Sequence, residues 1–257
     1  MSNADVLIAI PVFNERKYVA GVLEDVRRHH DQILFVDDCS TDGTAAFLTE
    51  QPGVHVVRHA TNMGYGRSII DAFDFAHTHN YAWVITLDCD EQHEPSMIPA
   101  FMQALRTDAW DVVSGSRYTA ESLSDDIAPT DRRAINATIT TVLNDLFGWS
   151  LTDSFCGYKA HRVSAMRALK LDEPGYAFPL QLWPRVYEQS LRVHEISVRR
   201  IYNDPNRTFG GTLDDANRRL RHYLDVLKRE LRRNGDHRAD CMDDITFEDI
   251  LPCAGSK

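Results

Sequence analysis

ILFVDDCSTDGT, residues 33–44, holds a strand, a turn and the start of a helix in one short stretch. Ile33, Leu34, Phe35 and Val36 form an unbroken apolar run, the pattern of a strand buried on both faces. Asp37-Asp38 ends that run, and Ser40-Thr41-Asp42-Gly43-Thr44 supplies turn and cap chemistry for a helix through Phe47 and Leu48.

The same unit recurs on either side. Val6-Leu7-Ile8-Ala9-Ile10 reads as a strand ended by Pro11, and a helix with Val19, Val22, Leu23 and Val26 on one face follows. Val54–Val57 is a third strand, and Gly64 and Gly66 precede a helix carrying Ile69, Ile70, Phe73 and Phe75. A strand over Ala82–Leu87, a helix opening at Pro95 and a strand in Asp111-Val112-Val113-Ser114-Gly115 continue the alternation. Repeated strand–helix units of this kind predict an α/β fold, with a mostly parallel central sheet flanked by helices.

Bulk properties narrow the function. A chain of 257 residues accommodates one large domain, or a domain with a smaller extension. A net charge of -10 argues against a nucleic-acid binder working through a broad basic surface. Cys39, Cys89, Cys156, Cys241 and Cys253 show no metal-type spacing and are odd in number. With no signal peptide and no membrane-length apolar run, they read as free thiols of a cytoplasmic protein. Any membrane contact is expected to be peripheral, at the cytoplasmic face.

Ligands of open α/β sheets bind at the carboxyl ends of the strands. Asn14-Glu15, Asp37-Asp38 and Asp88/Asp90 all fall at such ends. In VITLDCDEQHEPS, residues 84–96, Asp88 and Asp90 flank one residue and repel each other unless a cation offsets the charge. A hard ion, Mg²⁺ or Mn²⁺, suits two carboxylates with Gln92 as a neutral oxygen ligand. Cys89 is expected to pack as a small hydrophobe, and His93 to hydrogen-bond within the loop or stack on an acceptor, because hard cations disfavour thiolate and imidazole.

PVFNE at 11–15, VDDCSTDGT at 36–44, LDCDEQHEP at 87–95 and SGSRY at 114–118 occur in order. Together they resemble the family 2 glycosyltransferases of GT-A fold, a Rossmann-like nucleotide-diphospho-sugar transferase architecture. The likeness is to the dolichyl- or polyprenyl-phosphate mannosyltransferase branch, and it spans about residues 5–212. The resemblance implies a hexosyltransferase that moves a sugar from a nucleotide-diphospho-sugar (GDP-mannose or a UDP-sugar) to a polyprenyl or dolichyl phosphate. Inversion at the anomeric carbon and a divalent metal are implied with it.

By the same resemblance, Pro11, Phe13, Glu15, Val36, Asp38, Asp88 and Cys89 contact the nucleotide, and Asp88, Asp90 and Gln92 the metal. Arg117, Arg133 and Arg207 match positions that bind phosphates, and Asp90, Arg117, Asp153 and Arg207 the catalytic set. Phe13 stands where the family usually has tyrosine, Gln181 where it often has a carboxylate, and Leu213 where it commonly has lysine. The last two departures bear on the acceptor. A hydroxyl acceptor needs a general base, for which Asp153 is the candidate; its other reading is a carboxylate that caps backbone N–H groups. A phosphate acceptor needs none, its second pKa being about 6. A sugar-nucleotide-binding protein without turnover is the alternative from another class.

Residues 1–212 are thus expected to form the catalytic domain and 213–257 an extension. Leu213–Asn234 reads as a basic amphipathic helix with Leu213, Leu220, Leu224, Leu227 and Leu231 in one stripe. It is expected to pack on the domain or to pair in a homodimer; a membrane-surface helix is the other reading. Asp236, Asp240, Asp243, Asp244, Glu248 and Asp249 form an acidic tail.

Overall fold

The computed structural model describes residues 2–122, 128–202, 208, 210–233, 235–242 and 245. Its strands are β1 (Val6–Val12), β2 (Ile33–Asp37), β3 (Val54–Arg58), β4 (Trp83–Thr86), β5 (Val112–Ser116), β6 (Lys159–Arg162) and β7 (Val193–Ser197). They form one sheet in the order β3-β2-β1-β4-β6-β5-β7. Pairs β1–β2, β1–β4, β2–β3 and β5–β7 are parallel, whereas β6 runs antiparallel to both β4 and β5. The expected mostly parallel sheet is present, with β6 as its reversed strand.

Helices α1 (Val19–Arg27), α2 (Thr44–Thr49) and α4 (Ile98–Leu105) lie on one face of the sheet. On the other face lie α3 (Tyr65–Thr78), α5 (Thr130–Phe147), α6 (Val163–Ala168), α7 (Phe178–Glu188) and α8 (Ala216–Arg233). Alternate strand residues serve the two layers, as the two-residue period of a strand requires. Ile8, Ile10, Ile33, Phe35 and Ile85 point to the first, and Leu7, Ala9, Leu34, Val36 and Val84 to the second.

Pro11 lies inside β1 rather than at its end. The Ile8 N–H donates to the Gln32 carbonyl and the Asp38 N–H to the Val12 carbonyl, so even-numbered groups of β1 serve the β2 side. Odd-numbered groups face β4, whose pairing with β1 stops at Ala9–Thr86. The missing donor of Pro11 therefore falls where no ladder bond is required.

Strands β6 and β7 carry no apolar signature. Lys159-Ala160-His161-Arg162 occupies the middle of the sheet with Lys159 and His161 buried. The helix expected from Leu213 begins instead at Ala216, after a 3₁₀ turn over Gly211–Asp214. Asp215 starts it, its Oδ1 accepting from the Arg218 N–H at 2.8 Å and its carbonyl from the Arg219 N–H at 2.9 Å. Leu213 is thus off the stripe, while Leu220, Leu224, Leu227 and Leu231 are buried in the same core as α3 and α7. Among the described residues no helix is long and apolar enough to cross a membrane.

Candidate active site

The loops after β1, β2 and β4 open on one cleft of about 1000 Å³. Pro11, Phe13, Glu15, Asp38, Asp88, Cys89, Asp90, Gln92 and Arg117 line it. The expected Val36 does not join them; it lies inside β2 and packs in the hydrophobic core with Leu7 and Leu34, short of the loop that carries Asp38 to the cleft.

The first two loops are tied together by side chain-to-backbone bonds. Asn14, at φ 58°, donates its N–H to Ser40 Oγ at 2.9 Å and accepts from the Thr41 N–H at Oδ1, 2.8 Å. The Arg16 N–H donates to Asp42 Oδ2 at 2.9 Å. The result leaves the Phe13 ring about half exposed in the cleft (47 %). Asp38 is held from behind. Its Oδ1 accepts from the Met63 N–H at 2.6 Å and faces His59 Nδ1 at 2.7 Å, and its Oδ2 accepts from the Gly64 N–H at 2.8 Å. His59 Nε2 in turn lies 2.8 Å from Asp71 Oδ2.

The carboxylate loop is shaped by its own backbone. The Asp88 N–H donates to His93 Nδ1 at 2.9 Å, and the Gln92 N–H to Asp90 Oδ1 at 3.0 Å, around Glu91 in the left-handed region. His93 is therefore a neutral loop acceptor, and burial lowers its pKa to about 4. Cys89 is buried with Leu87 and Ile85. Among the described residues no three His, Cys, Asp or Glu side chains gather as a metal cage. Two aspartates and an amide on one cleft wall nonetheless fit a hard cation whose shell substrate phosphates complete.

Arg117, at the end of β5, sits between the cleft and Asp153. Its Nε donates to Asp153 Oδ2 at 2.7 Å and its Nη2 to Oδ1 at 3.0 Å. Asp153 Oδ1 also accepts from Asn136 Nδ2 at 2.9 Å and from the N–H groups of Phe155 and Cys156. Burial alone would raise the Asp153 pKa, but the Arg117 guanidinium, with Lys159 and Asn136, brings it down to about 2. This corrects the reading of Asp153 as a base. A fully buried carboxylate, bidentately paired and capping backbone N–H groups, is an anchor for Arg117 and a poor proton acceptor.

Arg133 is corrected likewise: it is exposed on the outer face of α5, and its neighbour Arg132 lines the cleft. One residue along a helix turns a side chain by about 100°, which a motif match does not resolve. Arg207 and tail residues Asp243, Asp244, Glu248 and Asp249 lie outside the described residues, as do the side chain of Asp240 and residue Cys253. The Gln181 departure has a local cause. Its Oε1 accepts from the Asp172 and Glu173 N–H groups, and its Nε2 donates to Asp172 Oδ1 at 2.6 Å and Glu230 Oε1 at 3.0 Å. A carboxylate cannot make the last two bonds.

Several cleft residues escape sequence reasoning. Tyr65, Lys159, Tyr176, Arg219 and Tyr223 all line it. Lys159 is buried; its Nζ donates to the Cys156 carbonyl and stands 5.4 Å from the Trp183 ring centroid. Arg219, also buried, donates to the Leu213 carbonyl at 2.7 Å and pairs with Asp131, tying α8 to α5. Ile135, Phe155, Phe178, Leu182 and Tyr223, which belong to or pack on one hydrophobic cluster, also line the cleft, as does Arg132. Charge-bearing positions on α5 and α8 carry no motif of their own, so only folding reveals them.

A mostly parallel sheet with a carboxylate pair and arginines at its ligand edge is the arrangement of a GT-A-type sugar transferase. The family model for glycosyl transferase family 2 matches residues 7–170, and the chain belongs to that family. It is a glycosyltransferase. It is 30% identical over 223 residues to an undecaprenyl-phosphate mannosyltransferase of Micrococcus luteus, covering 82% of this chain and 90% of that one. It is 29% identical over 202 residues to a polyprenol monophosphomannose synthase of Mycolicibacterium smegmatis, covering 75% and 76%. Glucosyl-3-phosphoglycerate synthase of Mycobacterium tuberculosis, solved with Mn²⁺, UDP and glucosyl-3-phosphoglycerate, shares the fold at TM-score 0.67 and 18% identity, over 90% of this chain and 80% of that one.

Proposed function

We propose that this protein transfers a hexose, with inversion, from a nucleotide-diphospho-sugar to a polyprenyl phosphate at the cytoplasmic face of a membrane. The observation that carries this reading is one cleft whose lining holds both Asp88 and Asp90 and the apolar residues Ile135, Phe155, Phe178, Leu182 and Tyr223 of one hydrophobic cluster, together with Arg132. A charged donor suits the first part and a phosphate on an apolar chain the second. The relatives named as polyprenyl- and undecaprenyl-phosphate transferases support the same acceptor class.

In this reading Phe13 offers its exposed ring face to the nucleobase, Asp38 a carboxylate edge, and Pro11, Glu15 and Cys89 close the nucleoside pocket. Mg²⁺ or Mn²⁺, held by Asp88, Asp90 and Gln92, would supply charge neutralisation for the departing diphosphate. Arg117, fixed by Asp153, adds a positioned positive charge on the cleft wall. The acceptor phosphate, largely a dianion at neutral pH, attacks the anomeric carbon through an oxygen while the bond to the diphosphate breaks. No proton has to be removed, which agrees with the full engagement of Asp153. We assign the catalytic unit to residues 1–212, with α8 of the extension adding Arg219 and Tyr223 to the cleft wall.

The test is incubation with labelled GDP-mannose or UDP-hexoses, a divalent cation and a polyprenyl phosphate, followed by organic extraction. Label in the organic phase, absent in the Asp90→Asn variant, is expected. Label transferred only to water-soluble acceptors would replace the lipid reading by the hydroxyl-acceptor one. Nucleotide binding without any transfer would leave a binding protein.

A further inference from the structure

The start of α3 is docked tightly on residues 173–176. The Arg67 N–H donates to the Pro174 carbonyl at 3.1 Å. A Cβ at Gly64 or Gly66 would overlap the carbonyl oxygens of Pro174 and Glu173, so two glycines are required for the approach. Tyr65 lies between them, and this docking aims its side chain into the cleft.

The Tyr65 ring stacks on Tyr176 with centroids 5.7 Å apart and planes at 14°. Its hydroxyl lies beside the Asp88 carboxylate. Gly157 closes the far side: a Cβ there would stand 2.8 Å from Asp88 Oδ2 and 2.9 Å from Tyr65 Oη. Asp88 is thus held at its backbone by His93 and faced at its carboxylate by Tyr65, while its side chain stays 31% exposed to the cleft.

We propose that Tyr65 is the positioning residue for Asp88: its hydroxyl fixes the carboxylate in the orientation that receives a divalent cation together with a nucleoside diphosphate. The inference rests on the donor-site reading given under the proposed function. A hydrogen-bond partner of a ligating carboxylate orients it before the ion arrives, and losing such a partner typically weakens metal binding by about 10–100-fold.

The test measures the thermal shift of the full chain with UDP or GDP across a Mn²⁺ titration, for wild type, Tyr65→Phe and Gly157→Ala. Tyr65→Phe removes the hydroxyl and keeps the stacked ring. Its melting temperature without ligands should match wild type, and its half-saturating Mn²⁺ concentration should rise about 10–100-fold. Gly157→Ala pushes on the same pair of oxygens and should raise the half-saturating concentration too, which covers the case of a poorly folding Tyr65→Phe. A wild-type Mn²⁺ shift with an unchanged half-saturation in Tyr65→Phe overturns the positioning role alone. No Mn²⁺-dependent shift in wild type overturns the donor-site reading, and this inference with it.

Discussion

Arg117 and Asp153, 36 residues apart in the chain, meet as a bidentate ion pair with Asp153 fully buried and Arg117 turned to the cleft. The pair converts a carboxylate that could have served as a base into the support of a cation. Breaking one member of a buried pair costs about 3–5 kcal/mol, because the other is left uncompensated. Asp153→Asn should therefore lower unfolding free energy by about 3 kcal/mol in denaturant titrations. Its pH signature has a definite sign. The folded pKa, about 2, lies below the ordinary 3.8, so the pair's contribution is present above pH 3.8 and fades as pH falls through about 2. Wild type and variant should converge in stability at that acid extreme. An activity limb near neutral pH that Asp153→Asn abolishes would restore Asp153 as a base.

Two buried histidines set the acid stability at higher pH. Burial holds His93 near pKa 4 and His161 near 3, both below the ordinary 6.5. Each contributes stability that is complete above pH 6.5 and is lost as pH falls toward its folded value, since only the unfolded chain takes up the proton there. Stability should fall by up to about 1.4 kcal/mol per pH unit per histidine between those limits. Melting curves of wild type and His161→Phe from pH 7 to 4, about the window of these shifts, should diverge in slope.

Neighbouring arginines on α5 should behave differently. Arg132 lines the cleft and Arg133 is exposed. Arg132→Ala should raise the KM for a phosphate-bearing acceptor about tenfold, the loss of one charge-assisted hydrogen bond. Arg133→Ala should leave it within about twofold. Equal effects from the two variants would place the acceptor elsewhere.

Gly66→Ala should destabilise the fold by roughly 2–4 kcal/mol, because the new methyl meets the Glu173 and Gly175 carbonyls and backbone cannot yield as a side chain can. Denaturant titration with an unchanged m-value would show it. A wild-type midpoint would mean that the α3 docking is looser than described.

Gln181→Glu should be costly in this chain. Gln181 is buried and donates to Asp172 and Glu230; a carboxylate in its place loses both bonds and repels both neighbours. A loss of roughly 3 kcal/mol at neutral pH, smaller at pH 5, is expected from thermal unfolding.

What the sequence determined by itself is the local pattern. An apolar run ending in Asp37-Asp38, or in Asp88-Cys89-Asp90, states its strand, its turn and its ligand edge within a dozen residues, because side-chain period and turn chemistry act over that range. The tertiary structure alone decided which side chains meet. Val36, still inside β2, packs in the core, while Asp38, just past the end of the strand, lines the cleft, and the helical rotation of α5 chose Arg132 over Arg133. Lys159-Ala160-His161-Arg162 is an interior strand with no apolar signature: Lys159 and Arg162 bond to groups the chain supplies from elsewhere, and the His161 ring packs edge-on to Phe73. Asp153 became an anchor, and Tyr65 the neighbour of Asp88, through contacts between segments far apart in the chain. Such pairings depend on burial and approach distance, which no short stretch of sequence contains.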